Sequence, residues 1–313
     1  MFIIESYSTA IIFCVITMLC WGSWANTQKL SSQWRFELFY WDYVIGIVLF
    51  TVLFGLTAGS VGDHGRAFID DLQQGSGPNI ASAFLGGIVF NAANILLSAA
   101  IAIAGMSVAF PVGIGLALMI GVIVNYVDAP LGNPLALFSG VLCITIAIGM
   151  NAYAFQKNSA RENTSAKGLL LSVISGCMMG LFYKYVAGSM ASDFSSPEAL
   201  KLTPYSALFV FSLGVFASNF IFNSMLMKFP INGSQVSASD YFRGSVNNHL
   251  VGILGGLIWS MGMSFSILAS EKAGPAISYG LGQGATVVAA LWGIYVWKEF
   301  KGASHNFPIG GHA

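Results

Sequence analysis

Charge is what this sequence has least of. Asp, Glu, Lys and Arg make up 8% of its 313 residues against 56% apolar ones, and the 13 basic and 13 acidic side chains cancel. So few charges cannot cover the surface of a water-soluble fold of this length, and the balance leaves no basic patch on which nucleic-acid binding would depend. Cysteine is sparse too. Cys14, Cys20, Cys143 and Cys177 all lie in apolar runs without CxxC or zinc-ligand spacing, so they read as small packing residues and not as a disulfide or metal frame. HExxH, GxSxG and GxxxxGK[ST] are absent and the carboxylates do not cluster, which argues against an intramembrane hydrolase, a metal site or a phosphate cradle. The expectation is a protein that is not an enzyme and holds no cofactor. The start, Met1-Phe2-Ile3-Ile4-Glu5, lacks the basic stretch of a cleavable leader, and no convincing small-residue cleavage site precedes Trp21-Gly22-Ser23-Trp24, so the first apolar run reads as a retained span.

Long apolar runs are what fill the chain. With about twenty apolar residues needed per crossing, spans are expected near 7–26, 38–59, 80–104, 106–127, 134–155, 168–190, 205–227, 249–270 and 274–297, nine in all. Runs three and four part only around Gly105, and runs eight and nine only at Glu271-Lys272-Ala273, so each pair is expected to form a tight hairpin. A polar stretch then divides the chain into a first five-helix repeat (1–156), a linker (157–167), a second repeat of four spans (168–297) and a polar tail (298–313). Gly105-Met106-Ser107-Val108-Ala109-Phe110-Pro111-Val112-Gly113-Ile114-Gly115 returns 169 positions later as Gly274-Pro275-Ala276-Ile277-Ser278-Tyr279-Gly280-Leu281-Gly282-Gln283-Gly284, and the register holds through Tyr126-Val127 and Tyr295-Val296. The fold class expected is therefore an all-α polytopic membrane protein built as an inverted repeat of five-helix bundles, with the tenth helix missing. Loops after odd-numbered spans carry nine Lys and Arg residues against Arg66, Lys201 and Lys272 on the other side. The positive-inside rule then puts the amino terminus outside and the linker in the cytoplasm.

Polar side chains inside spans need partners within the protein, so several on one helix face point into the bundle or a wet cavity. Asn91, Asn94 and Ser98 stand at i, i+3, i+7; Asn219 and Asn223 at i, i+4; Tyr279, Gln283 and Thr286 at i, i+4, i+7. Amides and a phenol offer donors and acceptors without net charge, which suits a neutral polar solute; interhelical glue is an equally weighted reading of any single one. Trp24, Trp259, Tyr183 and Tyr279 lie toward the middle or inner parts of their spans, where rings could wall a flat solute. Trp34, Tyr40, Trp41, Tyr126, Tyr205 and Trp297 sit near span ends and read as headgroup anchors. The substrate-binding candidates are Trp24, Asn91, Asn94, Tyr279 and Gln283, with Lys184, a basic residue two-thirds along the sixth span, as an outside candidate against snorkelling. Asp42, one turn into the second span, is the candidate for a coupling proton against a pairing with Arg35 or a helix cap. Glu37, Asp128, Glu271 and Lys272 read as loop or interface charges.

Several further patterns carry a family resemblance: Ile4-Glu5-Ser6 entering the first helix, Gly22-Ser23-Trp24 within it, Tyr40-Trp41-Asp42-Tyr43 opening the second, Asn125-Tyr126 ending the fourth, and Trp292-Gly293-Ile294 with Trp297-Lys298-Glu299-Phe300 closing the ninth. In this order, over nearly all of residues 1–302, they resemble the drug/metabolite transporter superfamily, and within it the ureide permease and glucose/ribose-porter-like sugar transporters. The resemblance implies two inverted five-helix repeats around a central cavity, and uptake of a small polar compound such as a sugar or ureide by proton-coupled alternating access. The central loop is short and lacks the nucleotide-binding-like motif of plant ureide permeases, so no ATP role is inferred. Partners expected are the solute, protons, the lipid bilayer and a second copy of the chain in a homodimer; the location expected is a bacterial inner (plasma) membrane. The rival readings are an exporter of the same superfamily and a non-transporting membrane scaffold or receptor.

Overall fold

The computed structural model describes residues 1–31, 33–104, 106–158, 166–231 and 233–297. Most of the expected linker and the whole of the polar tail lie outside the described residues. Long helices dominate: α1 (Tyr7–Ser23), a short α2 (Asn26–Leu30), α3 (Phe36–Leu56), a short α4 (Phe68–Gln74), α5 (Gly77–Ala104), α6 (Met106–Asp128), α7 (Pro134–Asn158), α8 (Ala166–Ser189), α9 (Pro204–Lys228), a short α10 (Ala238–Phe242), α11 (Val246–Ala273), α12 (Pro275–Gly282) and α13 (Ala285–Leu291), the last running into a wider π-type turn over Trp292–Val296. Among the described residues six segments are long and apolar enough to cross a membrane: Tyr7–Leu30, Phe36–Leu56, Gly77–Ile101, Ala166–Ser189, Pro204–Lys228 and Val246–Ala273. Val112–Asp128 and Pro134–Cys143 are shorter apolar helices. The chain is an integral, multi-pass α-helical membrane protein.

Local chemistry sets the helix ends. Ser6 caps α1 by accepting from the Thr9 N–H at 3.1 Å, and Ser245 caps α11 by accepting from the Asn248 N–H at 3.2 Å. Ser237 and Asp240 satisfy each other's backbone N–H groups in a capping box that starts α10. The sharp turn expected between the eighth and ninth apolar runs falls at Gly274, whose φ of +86° suits glycine, with Pro275 opening the next helix. The ninth run is not one helix as expected. It breaks at Gln283-Gly284 between α12 and α13, whereas the matching Gly113-Ile114-Gly115 stays inside α6.

The helices meet in a definite pattern. α5 packs against α8 and α9, α11 against α1 and α3, α6 against α8 and α12, and α1 against α12 and α13, while α3 and α9 touch each other and α7 lies mainly on α6. Two of these crossings are reciprocal glycine contacts. A Cβ on Gly46 of α3 would lie 3.0 Å from the Gly256 Cα and 2.3 Å from the Ile253 carbonyl oxygen, and one on Gly256 of α11 would lie 2.0 Å from the Tyr43 carbonyl oxygen. Likewise a Cβ on Gly87 of α5 would lie 3.0 Å from the Gly214 Cα and 2.1 Å from the Phe211 carbonyl oxygen, and one on Gly214 of α9 would lie 2.1 Å from the Phe84 carbonyl oxygen. Only glycine lets the backbones come this close.

Candidate functional site

Where these crossings bring α3, α5, α9 and α11 together, the interior carries polar groups. Tyr40, fully buried on α3, donates its hydroxyl to Asn91 Oδ1 at 2.8 Å and accepts from Asn94 Nδ2 at 3.0 Å. Asn91 Nδ2 goes on to Ser218 Oγ at 2.9 Å and the Val215 carbonyl at 3.3 Å on α9. One phenol thus ties the α5 amide stripe to α3, and one amide ties it to α9. Tyr40 was expected at the headgroups. The structure corrects that: its ring turns inward, one helical turn from the start of α3, onto the amides of α5. Trp34 and Tyr205 are likewise buried and not interfacial, because α10, the loops and the first residues cover those span ends; Tyr205 donates its hydroxyl to the Phe2 carbonyl at 2.9 Å.

Aromatic rings line the same region. Trp24, half-buried just past α1, lies 4.7 Å from the Tyr43 ring; Tyr43 lies 5.3 Å from Tyr40 and 6.4 Å from Trp259, and Trp259 lies 4.4 Å from Phe90. Of the sequence candidates, Trp24, Asn91 and Asn94 therefore share one cluster, joined through Tyr40 and Tyr43. Tyr279 stands further along the aromatic chain, 6.2 Å from Phe182, which is 5.2 Å from Phe90. Its hydroxyl donates to the Met179 carbonyl at 3.0 Å and the Ala117 carbonyl at 3.3 Å, tying α12 to α8 and α6. Gln283 is buried at the break between α12 and α13. Lys184 lies apart. It pairs with Asp128 at 3.0 Å, each side chain 44% exposed, so its ammonium is directed to the end of α6 and not to the cluster.

Asp42 has a different neighbourhood from the expected one. Arg35 donates to Glu37 at 2.6 Å and to the Ser234 carbonyl at 2.7 Å, and Glu37 is itself buried, a correction to its reading as a solvated charge. Asp42, 1% exposed, takes Tyr241 Oη at 2.6 Å, His249 Nδ1 at 2.9 and 3.0 Å, and Trp34 Nε1 at 3.4 Å. Burial and the adjoining carboxylate push the Tyr241 phenol above its ordinary range, so it stays a donor. Space for the carboxylate comes from Gly252, where a Cβ would lie 2.4 Å from the Asp42 Cβ. His249 and Tyr241 had no signal in the sequence, since neither belongs to a polar stripe. Among the described residues no group of His, Cys, Asp and Glu could hold a metal ion.

An interior of amides, phenols and indoles at helix crossings, in a bundle long and apolar enough to span a bilayer, is what a solute carrier presents. The chain belongs to the ureide permease family, whose model matches residues 39–167 and 161–309. It is 24% identical over 365 residues to ureide permease 1 of Arabidopsis thaliana, covering 98% of this chain and 93% of that protein, and 24% identical over 373 residues to ureide permease 2 of the same plant, again covering 98% and 93%. It is also 23% identical over 342 residues to the probable ureide permease A3 of Vigna unguiculata, covering 87% and 91%. These relatives are named as permeases, membrane transport proteins and not enzymes. All are plant proteins, so they lend nothing to the expectation of a bacterial membrane.

Proposed function

We propose that this chain is a secondary transporter that moves a small, neutral, polar solute of the ureide class by alternating access, with uptake coupled to protons. The observation that carries the reading is the Tyr40, Asn91, Asn94 and Ser218 network beside Trp24, which places uncharged donors and acceptors next to flat aromatic walls at the junction of four helices. Ureides combine a planar skeleton with carbonyl and N–H groups and fit that chemistry; the names of the relatives point the same way. Asn94, Asn91, Trp24, Tyr279 and Gln283 are the substrate-site residues of this reading, and Asp42 with its His249 partner is the proton site. The amino terminus is outside and the linker cytoplasmic.

Three features support an inverted repeat of nine spans. Exchanging α1 with α8, α3 with α9, α5 with α11 and α6 with α12–α13 maps the main helix contacts onto one another. The reciprocal glycines follow the same exchange, Gly46 and Gly214 standing 168 positions apart and Gly87 and Gly256 standing 169 apart. Hydroxyl ties do so too: Thr17 donates to the Gly262 carbonyl at 2.8 Å and Ser175 to the Ala93 carbonyl at 2.8 Å. On this reading the first repeat runs over 1–156 and the second over 168–297.

Uptake of allantoin, a cyclic ureide, by cells expressing the protein tests the function, with D-glucose as the competing class. Asn94→Ala and Gln283→Ala are expected to reduce allantoin uptake severalfold while the protein stays folded and membrane-inserted, because each removes an amide from a site that binds through neutral hydrogen bonds. Normal uptake in both variants would sink this site. Glucose accumulation without allantoin uptake would move the substrate class to sugars.

A further inference from the structure

Tyr43 is fully buried, yet its hydroxyl has no hydrogen-bond partner among the described residues. A phenol buried in that state is costly and needs something to bind, as do the unpaired polar atoms of Trp21, Thr203, Asn219, Asn223 and Ser264. Its surroundings say what. The ring lies against Trp24 from the end of α1, Tyr40 from α3 and Trp259 from α11. The Tyr40 hydroxyl is committed, donating to Asn91 and accepting from Asn94, so Tyr43 is the phenol of this pair with its proton still to give.

The other half of the molecule supplies an internal comparison. Phe211 on α9 occupies the position of Tyr43 on α3: each offers its carbonyl oxygen to the opposing glycine of its crossing, Gly87 for Phe211 and Gly256 for Tyr43. The surrounding rings correspond as well. Phe211 packs 5.9 Å from Phe182 and 5.7 Å from Phe90, as Tyr43 packs 4.7 Å from Trp24 and 6.4 Å from Trp259. Phenylalanine alone therefore satisfies the packing of this corner in one half. The hydroxyl is the addition in the other half, and no protein group among the described residues uses it.

We propose that Tyr43 is a solute-contacting, specificity-determining residue whose hydroxyl donates a hydrogen bond to a carbonyl oxygen of the transported compound, beside the Trp24 ring. Asn94 lies on the other side of Tyr40, half-buried, with its Nδ2 on that phenol and its Oδ1 taking no hydrogen bond among the described residues. A phenol with a proton to give fits the carbonyl oxygen of a ureide, and Asn94 Oδ1 is a separate acceptor for a ureide N–H. The inference rests on the proposed transport of ureides.

Tyr43→Phe tests it in purified protein in detergent, with allantoin as the probe. Removing an unpartnered hydroxyl leaves the melting temperature of the ligand-free protein unchanged or higher, whereas losing a solute hydrogen bond weakens allantoin binding about fivefold to tenfold. Tyr40→Phe is the contrasting variant, expected to lower the ligand-free melting temperature because it strands Asn91 and Asn94. A Tyr43→Phe protein that binds allantoin as tightly as the wild type overturns the assignment. So does a clear fall in its ligand-free melting temperature with binding unchanged, which would mean that the hydroxyl serves the fold. Wild-type protein that gives no thermal shift with allantoin overturns the ureide reading and this assignment together.

Discussion

At the scale of single residues, the most consequential placement is that of Asp42. A carboxylate one turn into an apolar helix needs partners, and these come from the other half of the chain: Tyr241 on α10 and His249 on α11, with Trp34 as a third donor just ahead of α3. The remaining charges near this end are engaged or peripheral, Arg35 with Glu37 and Ser234, Asp240 with Ser237, and Arg243 just past α10. On the proposed reading, the Asp42–His249 contact, which joins the halves at this end, is where a coupling proton would act. Asp42→Asn is expected to abolish accumulation driven by a pH gradient while sparing exchange of labelled for unlabelled solute, since exchange needs the site but no net proton movement. His249→Gln should shift the pH profile of accumulation with exchange kept. Equal loss of exchange and accumulation in both variants would assign the pair to folding and not to coupling.

At the scale of elements, the glycine crossings set the geometry that the polar residues depend on. Gly256→Ala would put a methyl 2.0 Å from the Tyr43 carbonyl oxygen, with backbone on both sides and no flexible side chain to yield. A destabilisation of about 2 kcal/mol or more is expected, read as a lower melting temperature in detergent. Gly140→Ala on α7 meets nothing within 4 Å and should be neutral or stabilising by about 0.5–1 kcal/mol. If the two variants melt alike, close backbone approach is not what holds the bundle. The same contrast explains what the sequence made legible. Apolar runs of membrane length located every long helix within a few residues, and polar stripes picked out Asn91 and Asn94, because both signals are local. Tyr40, Tyr43 and His249 escaped, since their contacts arise only when α3 meets α5 and α11. The short helices α2, α4 and α10 escaped too: each is seven residues or fewer, below the length at which periodicity registers.

At the scale of the whole molecule, the proposed alternating access requires that ties between the halves at one end break while the site stays intact. The ties at the end that holds Asp42 are fewer than those at the opposite end, where Arg66, Asp71 and Gln74 bond to residues 197–203. Besides the Asp42 cluster, Ser31 just after α2 donates to Asn248 Oδ1 on α11 at 2.6 Å. Both side chains stand near the polar ends of their helices, apart from the aromatic cluster, so replacing them disturbs the gate and not the site. If this end opens during the cycle, residues 31 and 248 must separate. Cysteines at both positions, in a Cys143→Ser background because Cys143 is exposed, can be bridged by a short bifunctional thiol reagent. The bridge is expected to stop allantoin uptake while leaving allantoin able to stabilise the protein thermally, since a locked carrier still binds from its open side or holds an occluded solute. Single-cysteine proteins treated in the same way should transport normally. Uptake that continues in fully bridged protein would mean that this end does not open, and would exclude the rocking of the two halves about the Tyr40 and Asn91 network.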